Sequence, residues 1–319
     1  MLGPDSAERI ARAFGLGGGA RLYGPVDRGR RGEVWQLTTN NGRYAVKTPY
    51  EPTSPARVAR DAAYQDKVRA AGVPMPEVIR TPEGEVLVEI DGRQVRVYEW
   101  IDMLAPDRNL DPVAVGTLLA KVHQVFIPSP EPVREWFTQP VGAEAWAEVI
   151  EALRAQEAPF ADQVAALVPQ FIALERAFEQ PEEVTMCHCD LWVDNLRRTP
   201  NGDLVVLDWE NCGPESPSHE LGLVVFEYGL GNHARMLDLY AAYLLAGGPG
   251  RLGRAGDLTM VGAACAHLAE ESCRQWLAAE TEVERAAGAE LVTWLLSEPV
   301  TPAVVHDLLD AVAGLGATA

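Results

Sequence analysis

The sequence predicts an α+β fold with two lobes, a small β-rich lobe over residues 1–101 and a larger, mainly helical lobe over residues 102–319. Hairpin turns and strand-like alternation dominate the first part, and helical spacing of apolar residues dominates the second. The charge balance changes at the same point, because residues 1–101 hold 15 Lys/Arg against 13 Asp/Glu and residues 102–319 hold 12 against 33. A length of 319 residues is enough for two such lobes.

Turn residues mark out the elements of the N-terminal lobe. A short helix is predicted at Asp5–Phe14, where the glycine run that follows would end it. Asn40-Asn41-Gly42 and Asp91-Gly92 are typical of hairpin turns. The remaining predicted elements are a helix at Ala56–Ala71 and strands at Arg21–Tyr23, Glu33–Thr38, Arg43–Thr48, Glu85–Ile90 and Gln94–Trp100.

The sequence of the second lobe predicts a series of helices with one hairpin. Asn201-Gly202 predicts a two-residue turn between the strands Leu196–Arg198 and Leu204–Asp208, so paired residues would have numbers summing to 403. That register places Asn195 opposite Asp208. The predicted helices are Pro112–Val125, Ala143–Ala155, Ala161–Phe178, Ala234–Leu245, Leu258–Ala279 and Pro302–Val312.

Composition excludes several classes of function. A formal net charge of −19 argues against a nucleic-acid partner, since the phosphates need a basic surface. No apolar run approaches the roughly 18 residues of a membrane span, and Asp5 and Glu8 interrupt any secretion signal. Five cysteines without a CxxC pair suit a reducing compartment. We therefore expect a cytoplasmic protein with no membrane partner.

Two further motifs are weak. Gly15, Gly17 and Ala20 form a G-x-G-x-x-A string that would favour a dinucleotide-dependent oxidoreductase, but it follows a predicted helix where a strand is needed. A zinc site on Cys187-His188-Cys189 is disfavoured, because adjacent residues cannot all turn toward one tetrahedral ion.

Three oxygen-bearing side chains carry the predicted chemistry. Asn195 and Asp208, held at one end of the predicted hairpin, offer the ligands that Mg²⁺ prefers. Asp190 lies on the loop leading into that hairpin, where its carboxylate can accept a proton from an attacking hydroxyl.

Asp190-x4-Asn195 followed by Asp208-Trp209-Glu210 resembles the catalytic loop and metal-binding aspartate of protein-kinase-like enzymes. With His188-Cys189 before Asp190, the pattern is similar to the aminoglycoside phosphotransferase and choline kinase-like family, which usually has Gly where Cys189 stands. The resemblance implies a two-lobed protein-kinase-like fold with a catalytic loop at 188–195. It also implies that Asp190 acts on the acceptor hydroxyl and that Asn195 and Asp208 bind Mg²⁺.

The resemblance also predicts a nucleotide site in the first lobe. Lys47 ends the strand Tyr44-Ala45-Val46-Lys47 in a chain with three lysines and 24 arginines, and it would pair with the nucleotide phosphates. The helix acid that orients this lysine in the family falls on Asp61, one methylene shorter than the usual Glu. The turn from Gly29 to Gly32 would cover the phosphates through its backbone amides.

A hinge is expected at residues 97–102. There the Glu99 carbonyl and the Ile101 amide would bond the purine edge, and Tyr98 would occupy the position beside it. Family members with tyrosine at that place can use guanosine nucleotides, so either ATP or GTP is expected as donor.

The acidic second lobe favours a small cationic acceptor, with an aminoglycoside or other amino sugar as first choice. Choline, ethanolamine or homoserine-type metabolites are the alternative, and a nucleotide-binding pseudokinase is a more distant one. Glu227, Glu270 and Glu271 lie on late helices that line the acceptor cleft in relatives. Glu220, where the family commonly has Asp, and His123 are interpreted as structural residues.

Overall fold

The computed structural model describes residues 2–29, 31–129 and 131–316. The chain divides into two compact units, one of Met1–Asp107 with Trp192–Cys212 and the other of Arg108–Leu191 with Gly213–Ala319. The first unit is built on an antiparallel sheet and the second on helices, which confirms the α+β class.

Ten strands and ten α-helices follow one another along the described chain. The strands are β1 (Arg21–Arg28), β2 (Gly32–Thr39), β3 (Gly42–Pro49), β4 (Val78–Ile79), β5 (Val88–Ile90), β6 (Arg93–Glu99), β7 (Thr185–Cys187), β8 (Leu196–Arg198), β9 (Leu204–Val206) and β10 (Gly213–Glu215). The helices are α1 (Pro4–Ala13), α2 (Pro55–Ala70), α3 (Pro112–Gln124), α4 (Ala143–Ala155), α5 (Ala161–Glu175), α6 (Pro217–Gly229), α7 (His233–Leu245), α8 (Thr259–Ala278), α9 (Glu282–Ser297) and α10 (Pro302–Gly316).

The sheet of the first unit has the order β1-β2-β3-β6-β4, with β5 paired to β6. Thr39 pairs with Gly42, so β2 and β3 are joined by the Asn40-Asn41 turn that the sequence predicts. The β5–β6 turn consists of Asp91 and Gly92, with φ of 53° and 73°. Positive φ at both positions is what a tight two-residue hairpin requires. These two turns fix the register of the central strands.

The alternation of side chains along β3 and β6 separates a core face from a functional face. Val46 and Val97 belong to a buried cluster with Ile10 of α1. Since successive residues point to opposite faces, Lys47 and Arg96 emerge on the other side of the sheet, where α2 lies. They are direct cross-strand partners in the β3–β6 register.

The β8–β9 hairpin belongs to the first unit, whereas the sequence places it in the second lobe. The amide of Val206 donates to the Pro74 carbonyl at 2.9 Å, and the Leu104 amide donates to the Arg198 carbonyl at 2.8 Å. These backbone bonds attach the hairpin to the sheet-bearing unit, so the boundary between the two units is not a single cut near residue 101.

The second unit is a helical assembly around a core of large apolar side chains that includes Trp146, Phe171 and Trp276. Helices α3 and α7 approach closely at Gly116, where an added Cβ would lie 2.2 Å from the Leu239 carbonyl oxygen. Strands β7 and β10 form a short antiparallel ribbon, and the segment that carries Asp190 follows β7. None of the helices in the described ranges combines the length and apolar character of a bilayer span.

Candidate active site

Lys47 is the centre of a charged cluster in the first unit. Its Nζ lies 3.0 Å from Oδ1 of Asp208 and 3.4 Å from Oε1 of Glu210. Burial disfavours the charged ammonium, but the carboxylates of Asp208 and Glu210 outweigh that cost and raise the pKa of Lys47 above its ordinary value. The side chain therefore stays cationic at all physiological pH values.

The hairpin that carries Asn195 and Asp208 has a different register from the predicted one. Leu196 pairs with Val206, and the Leu207 amide donates to the Asn195 carbonyl at 2.8 Å, so paired numbers sum to 402 and the predicted 403 is wrong. The loop holds three residues because Gly202, with φ of 95°, adds a left-handed residue after the turn. Asn195 and Asp208 still lie at the same end of the hairpin.

The segment after β9 turns sharply at Asp208. This residue has φ of 52° and ψ of 64°, a left-handed conformation that leads into a 3₁₀ turn over Trp209–Asn211. The indole of Trp209 is buried and meets the ring of Tyr64 on α2 edge-on, with centroids 5.7 Å apart. Arg31 of the β1–β2 connection donates to the Asn211 side chain. Contacts on both sides thus hold the Asp208 segment against the sheet and α2.

Asp61 does not form the ion pair with Lys47 that the resemblance implies. Its carboxylate lies 3.3 Å from Arg60 and 3.6 Å from Arg57, both on its own helix. Burial raises the pKa of Asp61, and the two arginines oppose that shift. The shorter side chain is held along α2, and within the described residues the ion-pair partners of Lys47 are Asp208 and Glu210.

The turn from Gly29 to Gly32 is tight. The Gly29 amide donates to the Gly32 carbonyl at 3.0 Å, and a Cβ on Gly32 would lie 2.4 Å from the Thr48 carbonyl oxygen. Only glycine fits that approach of β2 to β3. Arg30 falls outside the described residues.

The predicted hinge at residues 97–102 begins within the last three residues of β6. Tyr98 lies on the sheet face of Lys47, with Nζ 5.8 Å from the ring centroid, and burial raises the pKa of the phenol to about 12. The Glu99 amide donates to the Glu77 carbonyl at 2.9 Å. No described residue accepts a hydrogen bond from the Ile101 amide, so this donor is available for a ligand.

Asp190 lies in the second unit, three residues after β7. The residue before it, Cys189, has φ of 64°, the left-handed region that favours glycine, which explains the glycine usual in the related sequences. The carboxylate of Glu220 accepts hydrogen bonds from the amides of His188, at 3.3 Å, and of Cys189. Glu220 therefore holds the strained backbone immediately before Asp190.

Glu220 is itself oriented by a buried hydrogen-bond chain. His123 Nε2 lies 2.8 Å from Oε2 of Glu220, and His123 Nδ1 lies 2.8 Å from the Tyr243 hydroxyl. Since a carboxylate only accepts, His123 Nε2 donates to Glu220, and the Tyr243 hydroxyl oxygen accepts from the Gly250 amide at 2.7 Å. Burial opposes ionisation of Glu220, but the bonds from His123 and the Cys189 amide hold its pKa below the ordinary value.

The three acids predicted to meet the acceptor differ in their surroundings. Glu227 is buried and lies 3.3 Å from Arg108, so its charge is already compensated. Glu270 pairs with Arg274 one turn along α8, and Glu271 follows it on the same helix, partly buried. Glu227 is thus the least suited of the three to bind a cation.

A sequence profile of the phosphotransferase enzyme (APH) family matches residues 23–256, which include Lys47, the Asp190 loop and Asp208. The chain belongs to this family. No curated protein sequence matches it. The match confirms the resemblance seen in the sequence, and the chain is a small-molecule phosphotransferase.

Solved phosphotransferase structures share the fold at low sequence identity. An aminoglycoside phosphotransferase from Alicyclobacillus acidocaldarius has a TM-score of 0.66 and 14% identity over 99% of this chain and 98% of its own. A spectinomycin phosphotransferase in complex with ADP and spectinomycin has a TM-score of 0.67 and 13% identity over 97% and 98%. A microcompartment-associated aminopropanol kinase has a TM-score of 0.58 and 16% identity over 88% and 91%. The protein-kinase-like fold is thereby confirmed.

Two residues of the charged cluster around Lys47 are not among the site residues that the sequence predicts. Glu210 appears in the sequence only as the third residue of the Asp208-Trp209-Glu210 motif, although it contacts both Lys47 and Arg96. Arg96 was not singled out, and its cross-strand position opposite Lys47 was the available signal, since both strands were predicted. Glu220 and His123, interpreted as structural, do have the buried structural roles expected of them.

Proposed function

We propose that this phosphotransferase moves the γ-phosphate of a nucleotide, with Mg²⁺, to a hydroxyl of a small cationic acceptor. The observation that carries the proposal is the 3.0 Å contact between Lys47 and Asp208 in the first unit. A lysine suited to phosphate oxygens and a carboxylate suited to a metal ion are neighbours here. Phosphoryl transfer needs both groups, since most of its acceleration comes from positioning and charge neutralisation.

ATP is the proposed donor, and GTP is the alternative. The available Ile101 amide together with the Glu99 carbonyl would bond the base, and the Gly29–Gly32 turn would cover the phosphates. The similar spectinomycin phosphotransferase is a complex with ADP, which supports an adenine nucleotide. A nucleotide donor also fits the cytoplasmic location that we propose for this enzyme.

Asn195 and Asp208 would hold Mg²⁺. A carboxamide and a carboxylate oxygen form the hard donor set that this ion prefers, and the Asp208 side chain is 40% exposed, so a hydrated ion can reach it. Bound Mg²⁺ would neutralise negative charge on the donor phosphates.

Asp190 would act on the acceptor. Its carboxylate accepts the hydroxyl proton while the hydroxyl oxygen forms a bond to the γ-phosphorus. The bond from that phosphorus to the bridging oxygen breaks, and the nucleoside diphosphate leaves with the electron pair. The hydrogen bonds that the His188 and Cys189 amides donate to the Glu220 carboxylate keep the loop in place for this step.

Charge supports a cationic acceptor such as an amino sugar or aminocyclitol, with choline, ethanolamine or homoserine-type metabolites as the alternative. Residues 102–319 hold 33 acidic against 12 basic side chains. On α8, Glu270 and Glu271 follow His267, whose ring stacks on Trp136 with centroids 4.9 Å apart. Carboxylates and aromatic rings are the groups that attract an ammonium ion.

A panel of acceptors assayed with ATP and with GTP tests this function. We expect phosphorylation of at least one amine-bearing polyol, detected by release of diphosphate and by a mass gain of one phosphate on the acceptor. The matched control is Asp190→Asn, in which transfer should fall by roughly 10²–10⁴-fold. Transfer only to neutral sugars or nucleosides would overturn the cationic acceptor, and an absence of transfer with every acceptor would overturn the kinase assignment.

A further inference from the structure

Two cations stand side by side on the functional face of the first unit's sheet. Lys47 on β3 and Arg96 on β6 are direct partners in the antiparallel register. Like charges at such a pair destabilise a sheet, and the cost rises with burial. The Arg96 side chain is only 7% exposed and that of Lys47 21%. This pair therefore needs an anion close to both groups.

Glu210 supplies that anion. Its Oε2 lies 2.9 Å from Nη2 of Arg96, and its Oε1 lies 3.4 Å from Nζ of Lys47. The carboxylate thus spans the two strands with one oxygen for each cation. The Glu210 carbonyl also accepts a bond from Arg57 at 3.2 Å, which fixes the backbone of the residue.

The other anions near Lys47 cannot take over this task. Asp61 is held by Arg57 and Arg60 on its own helix. Asp208 does contact Lys47, but under the proposed function its carboxylate is required for the metal. Once Asp208 binds an ion, Glu210 is the remaining acid that contacts the lysine among the described residues.

We infer that Glu210 is the positioning residue for Lys47, so that the segment after the metal-binding aspartate, and not helix α2, supplies the acid that orients the phosphate-binding lysine. The inference rests on the proposed function. Arg96 supports this positioning role, because it holds the second carboxylate oxygen of Glu210.

The test compares Glu210→Gln with Asp61→Asn, the rival acid, and with Glu33→Gln as matched control. Glu33 is a similarly buried glutamate between two arginines of the same sheet, Arg28 at 3.4 Å and Arg93 at 3.9 Å. The probe is the non-hydrolysable ATP analogue AMP-PNP with Mg²⁺, and its dissociation constant is measured by titration calorimetry. We expect Glu210→Gln to weaken binding about tenfold or more, and the other two variants to change it less than about threefold.

A double-mutant cycle with Lys47→Met distinguishes positioning from general damage to the fold. If Glu210 acts through Lys47, Glu210→Gln should weaken AMP-PNP binding little further in the Lys47→Met background. An undiminished effect in that background, or normal binding by Glu210→Gln alone, overturns the inference. So does a tenfold loss in Asp61→Asn with none in Glu210→Gln.

Folding is controlled separately. If Glu210→Gln does not fold, the pair Glu210→Gln with Arg96→Met removes both partners of the buried ion pair, and the same comparison is made on that protein. A wild-type chain that binds no Mg²⁺ nucleotide overturns the proposed function and the inference with it. Normal wild-type binding without a difference between the variants overturns the inference alone.

Discussion

Two glutamates ten residues apart in sequence occupy opposite kinds of environment. Glu210 in the first unit lies between the side-chain cations Lys47 and Arg96, and its side chain is 19% exposed. Glu220 in the second unit is completely buried and accepts hydrogen bonds from backbone amides and from His123. The first environment consists of side-chain charges, and the second of backbone amides and one imidazole.

This difference indicates what each region does. A cluster of partly exposed ion pairs can exchange partners when a phosphate or a metal arrives, because the competing charges are close and the solvent compensates for the change. A buried carboxylate on amide donors cannot change partners without a large free-energy cost. The first region is therefore suited to bind ligands, and the second to hold the Asp190 loop still.

The largest expected effect comes from Asp190→Asn. Turnover should fall by roughly 10²–10⁴-fold, because the proposed proton acceptor is lost, while the groups proposed to bind the nucleotide belong to the first unit. Steady-state kinetics and AMP-PNP calorimetry measure the two properties separately. Asp203→Asn in the exposed hairpin turn is the control. An equal loss of nucleotide affinity in Asp190→Asn would contradict the proposal that the two regions have separate roles.

Asp208→Asn should act on the charged cluster instead. The Mg²⁺ concentration for half-maximal activity should rise about tenfold or more, because the substitution removes a ligand charge and leaves the amide oxygen. A metal titration at saturating nucleotide measures it. Should the curve overlay that of the wild type, the metal site would have to lie elsewhere.

Glu220→Gln should lower the free energy of unfolding at neutral pH by roughly 1–3 kcal/mol. The pKa of Glu220 is held below its ordinary value of 4.5, so its contribution is complete above that pH and is lost as pH falls through the folded-state pKa. The difference between variant and wild type in urea unfolding should therefore shrink on acidification. Glu215 is a second buried acid whose pKa is raised, chiefly by burial and least by the charge of Glu220, so most of its contribution is common to both proteins. A difference independent of pH would contradict an ionised Glu220.

The smallest expected effect is that of salt. The apparent KM for the acceptor should rise a few-fold between about 0.01 M and 1 M salt, because the Debye length falls from roughly 30 to 3 Å. Steady-state assays across that range measure it, with a neutral osmolyte as the control for viscosity. An acceptor KM that does not change with salt concentration would show that the acidic residues of the helical unit do not attract the acceptor.

Local signals predicted much of the fold. The Asn40-Asn41 and Asp91-Gly92 turns and the strand that carries Lys47 are as expected, because each depends on neighbouring residues only. Two helices were not predicted although their start signals are in the sequence. Ser216-Pro217 is a cap followed by a first-turn proline before α6, and Thr281 forms a capping box with Glu284 at the start of α9.

The errors in the predicted site have two causes: a hairpin loop is one residue longer than predicted, and an ion pair joins residues that are far apart in sequence. Asn201-Gly202 predicted a two-residue loop, but Pro200 joins it in a three-residue loop and moves the register from 403 to 402. The choice between Asp61 and Glu210 as the partner of Lys47 depends on which arginines compete for each acid. That competition involves residues far apart in sequence, such as Arg96 and Glu210, and no local pattern reveals it.

The chain changes units twice between Leu191 and Gly213, and this limits how the protein can be cut and reassembled. A gene fragment that stops at Asp107 would encode all six strands of the sheet, but it would lack the β8–β9 hairpin that belongs to the same compact unit. Tyr64 would then lose the indole of Trp209, and the Pro74 carbonyl would lose the Val206 amide. The sheet-bearing unit is therefore not a module that can be transplanted as one continuous segment. A graft would have to carry residues 192–212 as a second piece, tethered close enough to find the sheet.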